Sequence, residues 1–169
     1  MQSDIKEMNA DRESYIKLLQ GVNYFSKMAA GGQLDKDSVN TYSQTFYSRV
    51  LLNPNVSRYE GLKASGKFDI IENKELLGEI LKMYEEDLTF LRFLNNGLNE
   101  YKSDRLGIFL DRNLVYKKDG SANWDVIFKT PEMQNALRRA TGVTEIINKY
   151  EEVIARCERI IAEINNELK

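Results

Sequence analysis

Residues 143–168 carry the clearest apolar pattern in the chain and constrain its fold more than any other segment. Apolar side chains recur there every three or four residues in two neighbouring rows. The first row is Val143, Ile147, Tyr150, Ile154, Cys157, Ile161, Ile164 and Leu168, and the second is Ile146, Tyr150, Val153, Cys157, Ile160 and Ile164. Such spacing indicates an amphipathic helix of about seven turns. Because the opposite face is charged, this helix must bury its apolar stripe against other helices.

Two further segments show a related periodicity. Residues 3–30 repeat apolar side chains less regularly, and residues 73–102 carry a heptad row at Leu77, Leu81, Tyr84, Leu88, Leu91 and Leu98. We predict an all-α fold in one domain, residues 1–169, in which three long helices near 3–30, 73–102 and 143–168 form a bundle. Shorter helices lie across them. We also expect a break near Ser103, followed by a short helical piece from Leu106 to Leu110.

Local signals mark several helix ends. Three polar residues stand where they would cap a helix N-terminus, namely Asp35, Asn73 and Thr130. Ser57 and Glu60 match a capping box for a further short helix, which Gly66 is expected to end, because glycine accepts left-handed backbone. The helix after Asp35 is predicted to reach Asn53 and Pro54, since the residue before proline is disfavoured in a helix.

Residues 113–129 differ in character from the rest of the chain. Asp119 and Gly120 form a tight-turn signal, and Trp124, Val126 and Phe128 follow it in period-two alternation. One interpretation is a small β-hairpin near residues 114–128. The alternative is a loop that tucks Trp124 onto the helical bundle.

The composition excludes several classes of site. The chain has no histidine and a single cysteine, Cys157, which lies on the apolar stripe. Catalytic triads, Cys-His pairs and histidine-containing di-iron sites are therefore excluded, and a lone cysteine forms no internal disulfide or thiolate metal site. With 24 Lys and Arg against 26 Asp and Glu, a nucleic-acid interface is not expected. We predict a non-enzymatic chain with no catalytic residues, cofactor or metal ion.

An acidic run lies within the second long helix. Glu85, Glu86 and Asp87 are consecutive there. Such a run is typical of a solvated helix face, which is the prediction, and the alternative is a site for a metal or a cationic ligand.

Several aromatic residues fall at helical spacing in the predicted helices. They are Tyr15, Tyr42, Phe46, Tyr84 and Tyr101. Core packing is their usual role. The alternative is a ligand pocket, which requires several of them to meet at a cavity with Arg or Asn at its edge.

Residues 59–76, which read YEGLKASGKFDIIENKEL, resemble a signature of a family of bacterial single-pass membrane proteins with no assigned activity. In that pattern a Ser–Gly–Lys–hydrophobic–Asp segment precedes Asn-Lys-Glu-Leu and an amphipathic helix with an aromatic residue, a place that Tyr84 fits. Residues 3–7 are similar to the charged helix that follows the family's transmembrane segment, and residues 161–168 are similar to its ending.

The resemblance implies that the chain is the helical part of a membrane-anchored protein. In the family a short basic tail and one transmembrane helix precede a domain on the periplasmic side of the inner membrane. The chain holds no apolar run of about 18 residues, the length that a membrane span needs. We therefore expect it to be soluble as given and to meet the membrane only through an anchor that it lacks.

The function expected from these features is a helical interaction or structural module that binds a protein partner or self-associates through its first or last helix. Lys67 and Asp69, in the stretch that carries the resemblance, either form a helix-to-helix corner or face that partner. The alternative function is an extracytoplasmic sensor that binds a small ligand between helices. A cavity lined by Tyr or Arg groups would support the alternative.

Overall fold

Three long helices carry most of the core, as the apolar rows predict. A computed structural model describes residues 1–167 of the protein. Its helices are α1 (Gln2–Ala29), α2 (Lys36–Ser43, continued by a 3-10 turn at Gln44–Phe46), α3 (Ser57–Ser65), α4 (74–113), α5 (Trp124–Ile127), α6 (Pro131–Ala140) and α7 (Val143–Glu167). No strand occurs in this range. The all-α prediction is therefore confirmed.

Helix α7 packs along both α1 and α4, and this explains why its apolar stripe is so wide. Tyr150 meets Asp11 of α1 through its hydroxyl, and the same hydroxyl accepts a hydrogen bond from Asn95 of α4. The stripe is buried from Val143 to Ile160. Two helices of the same chain thus cover the stripe of α7, the last helix, which is one of the two helices expected to self-associate. Leu168, the last member of the row, lies outside the described residues.

The break predicted near Ser103 is wrong, because α4 continues without interruption from residue 74 to residue 113. Instead, the helix contains two π-helical turns, at Lys82–Asp87 and Lys102–Gly107. Each π-turn inserts about one extra residue into the helix. The short piece expected from Leu106 to Leu110 is the last part of the same helix.

The two π-turns keep one face of α4 directed at the core over its whole length. One continuous row of buried residues on that face is Leu76, Ile80, Met83, Asp87, Leu91, Asn95, Asn99, Lys102, Leu106 and Leu110, and Leu88 is buried beside it. The row spans 34 residues in nine steps, about 3.8 residues per step against 3.6 for a regular helix. Two inserted residues remove that excess, since 32 residues in nine steps give about 3.6.

Three predicted N-caps are confirmed. The Asp35 carboxylate accepts a hydrogen bond from the Ser38 amide at 2.8 Å. Asn73 accepts from the Leu76 amide at 3.0 Å, and Thr130 accepts from the Met133 amide at 3.2 Å. Gly66 has φ +66°, the left-handed backbone expected where α3 ends.

Two predicted helix boundaries are corrected. The helix after Asp35 ends at Phe46 and does not reach Asn53, because the backbone of Val50 is held by the side chain of Asn99 on α4. Asn99 donates to the Val50 carbonyl oxygen at 2.8 Å and accepts from its amide at 3.4 Å. The capping box is also wrong, since Ser57 is already helical and the N-cap residue, Val56, has no side chain that can cap α3.

The segment at 114–128 follows the loop interpretation. A single antiparallel bridge joins Tyr116 to Ala122 around the turn at Gly120, which has φ +78°. Trp124 begins the one-turn helix α5 and is buried against the ring of Phe128, with 5.3 Å between ring centroids. The period-two alternation therefore reflects a one-turn helix whose tryptophan packs onto the bundle, and not a β-strand.

Candidate functional site

The acidic run lies within the first π-turn, and its three residues have different surroundings. Glu85 is exposed and pairs with Lys63 at 2.7 Å, and Glu86 is exposed as well. Asp87 is buried and contacts Lys149 and Arg156 of α7. The predicted solvated face is thus wrong for Asp87, because the inserted residue turns this carboxylate toward α7.

The aromatic residues at helical spacing serve two purposes. Tyr15 and Phe46 are fully buried, and Tyr42 and Tyr84 are half-buried against the core. Tyr101 also packs against the core, and in addition its half-buried ring lines a surface groove. That groove meets only part of the requirement set for a pocket: arginine and asparagine side chains stand at its edge, but of the five aromatic residues Tyr101 alone lines it.

The groove lies between the C-terminal part of α4 and helix α6, and its volume is about 860 Å³. Tyr101, Arg105 and Phe109 follow one another at four-residue spacing along α4 and form one wall. Asn135, Arg138 and Arg139 of α6 face them. Helix α6 buries Met133 and Leu137, so its polar residues are left to line the groove. We call this feature the arginine groove.

Positive charge dominates the arginine groove. The guanidinium carbon of Arg139 stands 5.9 Å from the ring centroid of Tyr101, a cation–π contact. Within residues 1–167, no carboxylate lies within ion-pair distance of Arg105, Arg138 or Arg139. Glu132 is the single acidic residue among those that line the groove. The groove therefore presents three uncompensated guanidinium groups to solvent.

Sequence reasoning did not find the arginine groove. The pair Arg138 and Arg139 is visible as a short basic cluster, but Arg105 lies more than thirty residues earlier. Lys67 and Asp69, the predicted partner surface, are both exposed in the segment between α3 and α4. Their predicted role stays a prediction. Residues 1–167 bring together no group of three or more metal-ligating side chains.

A second polar cluster is built into the core around Tyr150. Its hydroxyl donates to Asp11 at 3.2 Å and accepts from Asn95 at 2.7 Å, and the ring of Tyr15 lies 5.7 Å away between centroids. Burial, with a smaller contribution from Glu7, raises the pKa of Asp11 to about 6. The folded chain therefore holds a proton on Asp11 in a pH range where the unfolded chain releases it.

The raised pKa of Asp11 predicts how the stability of the fold depends on pH. A raised folded-state pKa stabilises the fold at low pH, and that stabilisation is lost as the pH rises from about 4 to about 6. At pH 8, Asp11→Asn should increase the free energy of unfolding by about 1 to 2 kcal/mol, allowing for solvent screening at a half-buried site. The gain should disappear below about pH 4. Urea denaturation across this range measures it.

Glu163→Gln removes the same charge from an exposed position of α7 and is the matched control. It should change the free energy of unfolding by less than about 0.5 kcal/mol at either pH. An equal gain from Asp11→Asn at acid and alkaline pH would show that the carboxyl group does not titrate as described.

No helix within residues 1–167 combines the length and the apolar character that crossing a bilayer requires. Comparison of the chain with protein-family profiles, with curated proteins and with solved structures returned no match.

Proposed function

We propose that this chain is a non-enzymatic helical binding module whose ligand is an anion that carries several phosphate or carboxylate groups. The observation that carries the proposal is the arginine groove, where Arg105 on α4 and Arg138 and Arg139 on α6 stand without a carboxylate partner. Guanidinium groups match the geometry of carboxylate and phosphate oxygens and form strong paired hydrogen bonds with them.

The rest of the groove suits a ligand of moderate size. Its volume is about 860 Å³, within the range of small-molecule sites. Tyr101 and Phe109 supply an apolar wall, and Asn135 adds an uncharged hydrogen-bonding group. These features support recognition of a small organic anion between two helices, which is the sensor-like alternative that the sequence left open.

A purely structural role accounts for only part of this arrangement. Arg138 and Arg139 lie in the last turn of α6, where positive charge stabilises a helix terminus. Arg105 lies within α4, at a π-turn that the helix continues past, and no helix terminus explains its charge. The convergence of all three on one groove favours a ligand.

The placement of the module is the second part of the proposal. The resemblance of residues 59–76 to a membrane-anchored bacterial family supports a domain held at the periplasmic side of the inner membrane. The exposed Lys67 and Asp69 of that stretch would then be available to a protein partner.

Isothermal titration with inorganic tripolyphosphate tests the arginine groove. The probe should bind the wild-type chain, and the variant Arg105→Gln/Arg138→Gln/Arg139→Gln should bind at least about tenfold more weakly, since each lost charged hydrogen bond is worth about 1.5 to 3 kcal/mol. Affinity should also fall with increasing salt, because the contacts are ionic.

Arg92→Gln is the matched control, since Arg92 is an exposed arginine of α4 that does not line the groove. It should leave the affinity for tripolyphosphate unchanged. The proposal fails if millimolar tripolyphosphate does not bind, or if the triple variant and the Arg92 variant bind equally well.

A further inference from the structure

A second, smaller pocket lies at the start of the second π-turn of α4. Its volume is about 230 Å³, and it opens between α4 and the chain that follows α2. Tyr47 and Arg49 line it from that chain, and Lys102 and Asp111 line it from α4. It shares no lining residue with the arginine groove. We call it the Lys102 pocket.

The lysine in this pocket is buried without a counter-charge. Only 7% of Lys102 is exposed, and no carboxylate of residues 1–167 lies within ion-pair distance of its ammonium group. The Nζ atom donates a hydrogen bond to the carbonyl oxygen of Ser48. An ammonium group has three N–H donors, so two of them have no acceptor among the described residues.

The π-turn is what holds the lysine in this position. Lys102 follows Asn95 and Asn99 in the buried row of α4, and Asn99 clamps the backbone of Val50 beside it. The turn is tightly closed at Gly107, where a Cβ atom would meet the Lys102 carbonyl oxygen at 3.1 Å. Burying a cation is costly unless an anion or hydrogen-bond acceptors compensate it. The fold therefore maintains an unfavourable charge that a bound anion would compensate.

We propose that Lys102 and Arg49 bind a small oxyanion, a carboxylate or a tetrahedral oxyanion, in the Lys102 pocket. The free N–H groups of Lys102 supply the buried donors, and Arg49, which makes no ion pair within residues 1–167, supplies the second cation at the surface. The volume admits a ligand of only a few heavy atoms.

Proton uptake accompanies this binding. Burial, together with the nearby charge of Arg49, lowers the pKa of Lys102 to about 8. The other titratable groups around the pocket are Tyr47 and the exposed Asp111. About half of the Lys102 side chains are neutral at pH 8, and an anion beside the amine favours its protonation.

Calorimetric titration at pH 8 with sodium sulfate and, separately, sodium acetate tests the proposal. The experiment uses the Arg105→Gln/Arg138→Gln/Arg139→Gln background, so that the arginine groove does not contribute. Neither probe titrates at this pH, so repeating the titration in buffers of different ionisation enthalpy counts the protons taken up. We expect one of the anions to bind with uptake of about half a proton, and to bind about tenfold more weakly to Arg49→Gln.

Two lysine variants complete the test. Lys102→Met should abolish anion binding. Lys102→Arg should still bind the anion but without proton uptake, since arginine stays charged at this pH. Arg49 is exposed, so Arg49→Gln is expected to fold, and it still tests the proposal if a variant at the buried Lys102 does not fold. The proposal would be overturned if neither anion bound. It would also be overturned if an anion bound without proton uptake and Arg49→Gln left its affinity unchanged.

Discussion

Phe25→Ala is expected to lower the free energy of unfolding by about 3 to 5 kcal/mol, the range for a large aromatic side chain lost from a packed core. Phe25 is completely buried on α1. Its ring centroid lies 4.3 Å from that of Phe128, 5.2 Å from that of Phe46 and 6.3 Å from that of Trp124. Truncating it therefore leaves a cavity where α1, α2 and α5 meet.

Urea denaturation followed by circular dichroism measures this loss. Phe93→Ala is the matched control, because Phe93 is 70% exposed on α4 and should lose less than about 0.5 kcal/mol. Since α5 has only four residues, tryptophan fluorescence should report its release first in the Phe25 variant. Similar losses in the two variants would contradict the aromatic core described here.

The first and last long helices and three of the helix caps were predictable from the sequence because they depend on local patterns. The stripe of residues 143–168 has a regular spacing, so its helix and its buried face follow from periodicity alone. The caps at Asp35, Asn73 and Thr130 depend on hydrogen bonds to amides two or three residues away. Signals of this range do not require knowledge of the tertiary structure.

The register of α4 was not predictable in the same way. A regular heptad places Leu77, Leu81 and Tyr84 on the buried face, but the core takes Leu76, Ile80 and Met83. Both rows are apolar, so hydrophobicity does not distinguish them. Which of the two rows is buried depends on the inserted residues of the two π-turns. These turns are stabilised by packing against α7 and against residues 46–50.

Neither candidate site was predictable, for a related reason. Arg105 and Arg139 are distant in sequence, and only the packing of α6 beside α4 makes them neighbours. Lys102 reads as an ordinary exposed lysine within a polar stretch of sequence. Its burial follows from the second π-turn and from the chain at Ser48 that packs against it.

Arg156→Met is expected to destabilise the fold by about 3 kcal/mol, because it removes one partner of a buried ion pair. Asp87 is 4% exposed, and its two carboxylate oxygens contact Lys149 at 2.8 Å and the Nε atom of Arg156 at 2.7 Å. Arg156 also donates to the carboxylate of Glu79, and Lys149 pairs with Glu152 at 3.1 Å. Without the guanidinium group, the buried carboxylate keeps only the lysine.

Two further variants separate this charge effect from the loss of side-chain packing. Arg159→Met removes an arginine that is 60% exposed and 4.0 Å from the Glu79 carboxylate, and it should cost less than about 1 kcal/mol. Asp87→Leu/Arg156→Met removes the uncompensated carboxylate as well, so it should be more stable than Arg156→Met alone. Thermal and urea denaturation of all three variants provides the comparison. If the double variant were the least stable, the network would stabilise the fold mainly through packing.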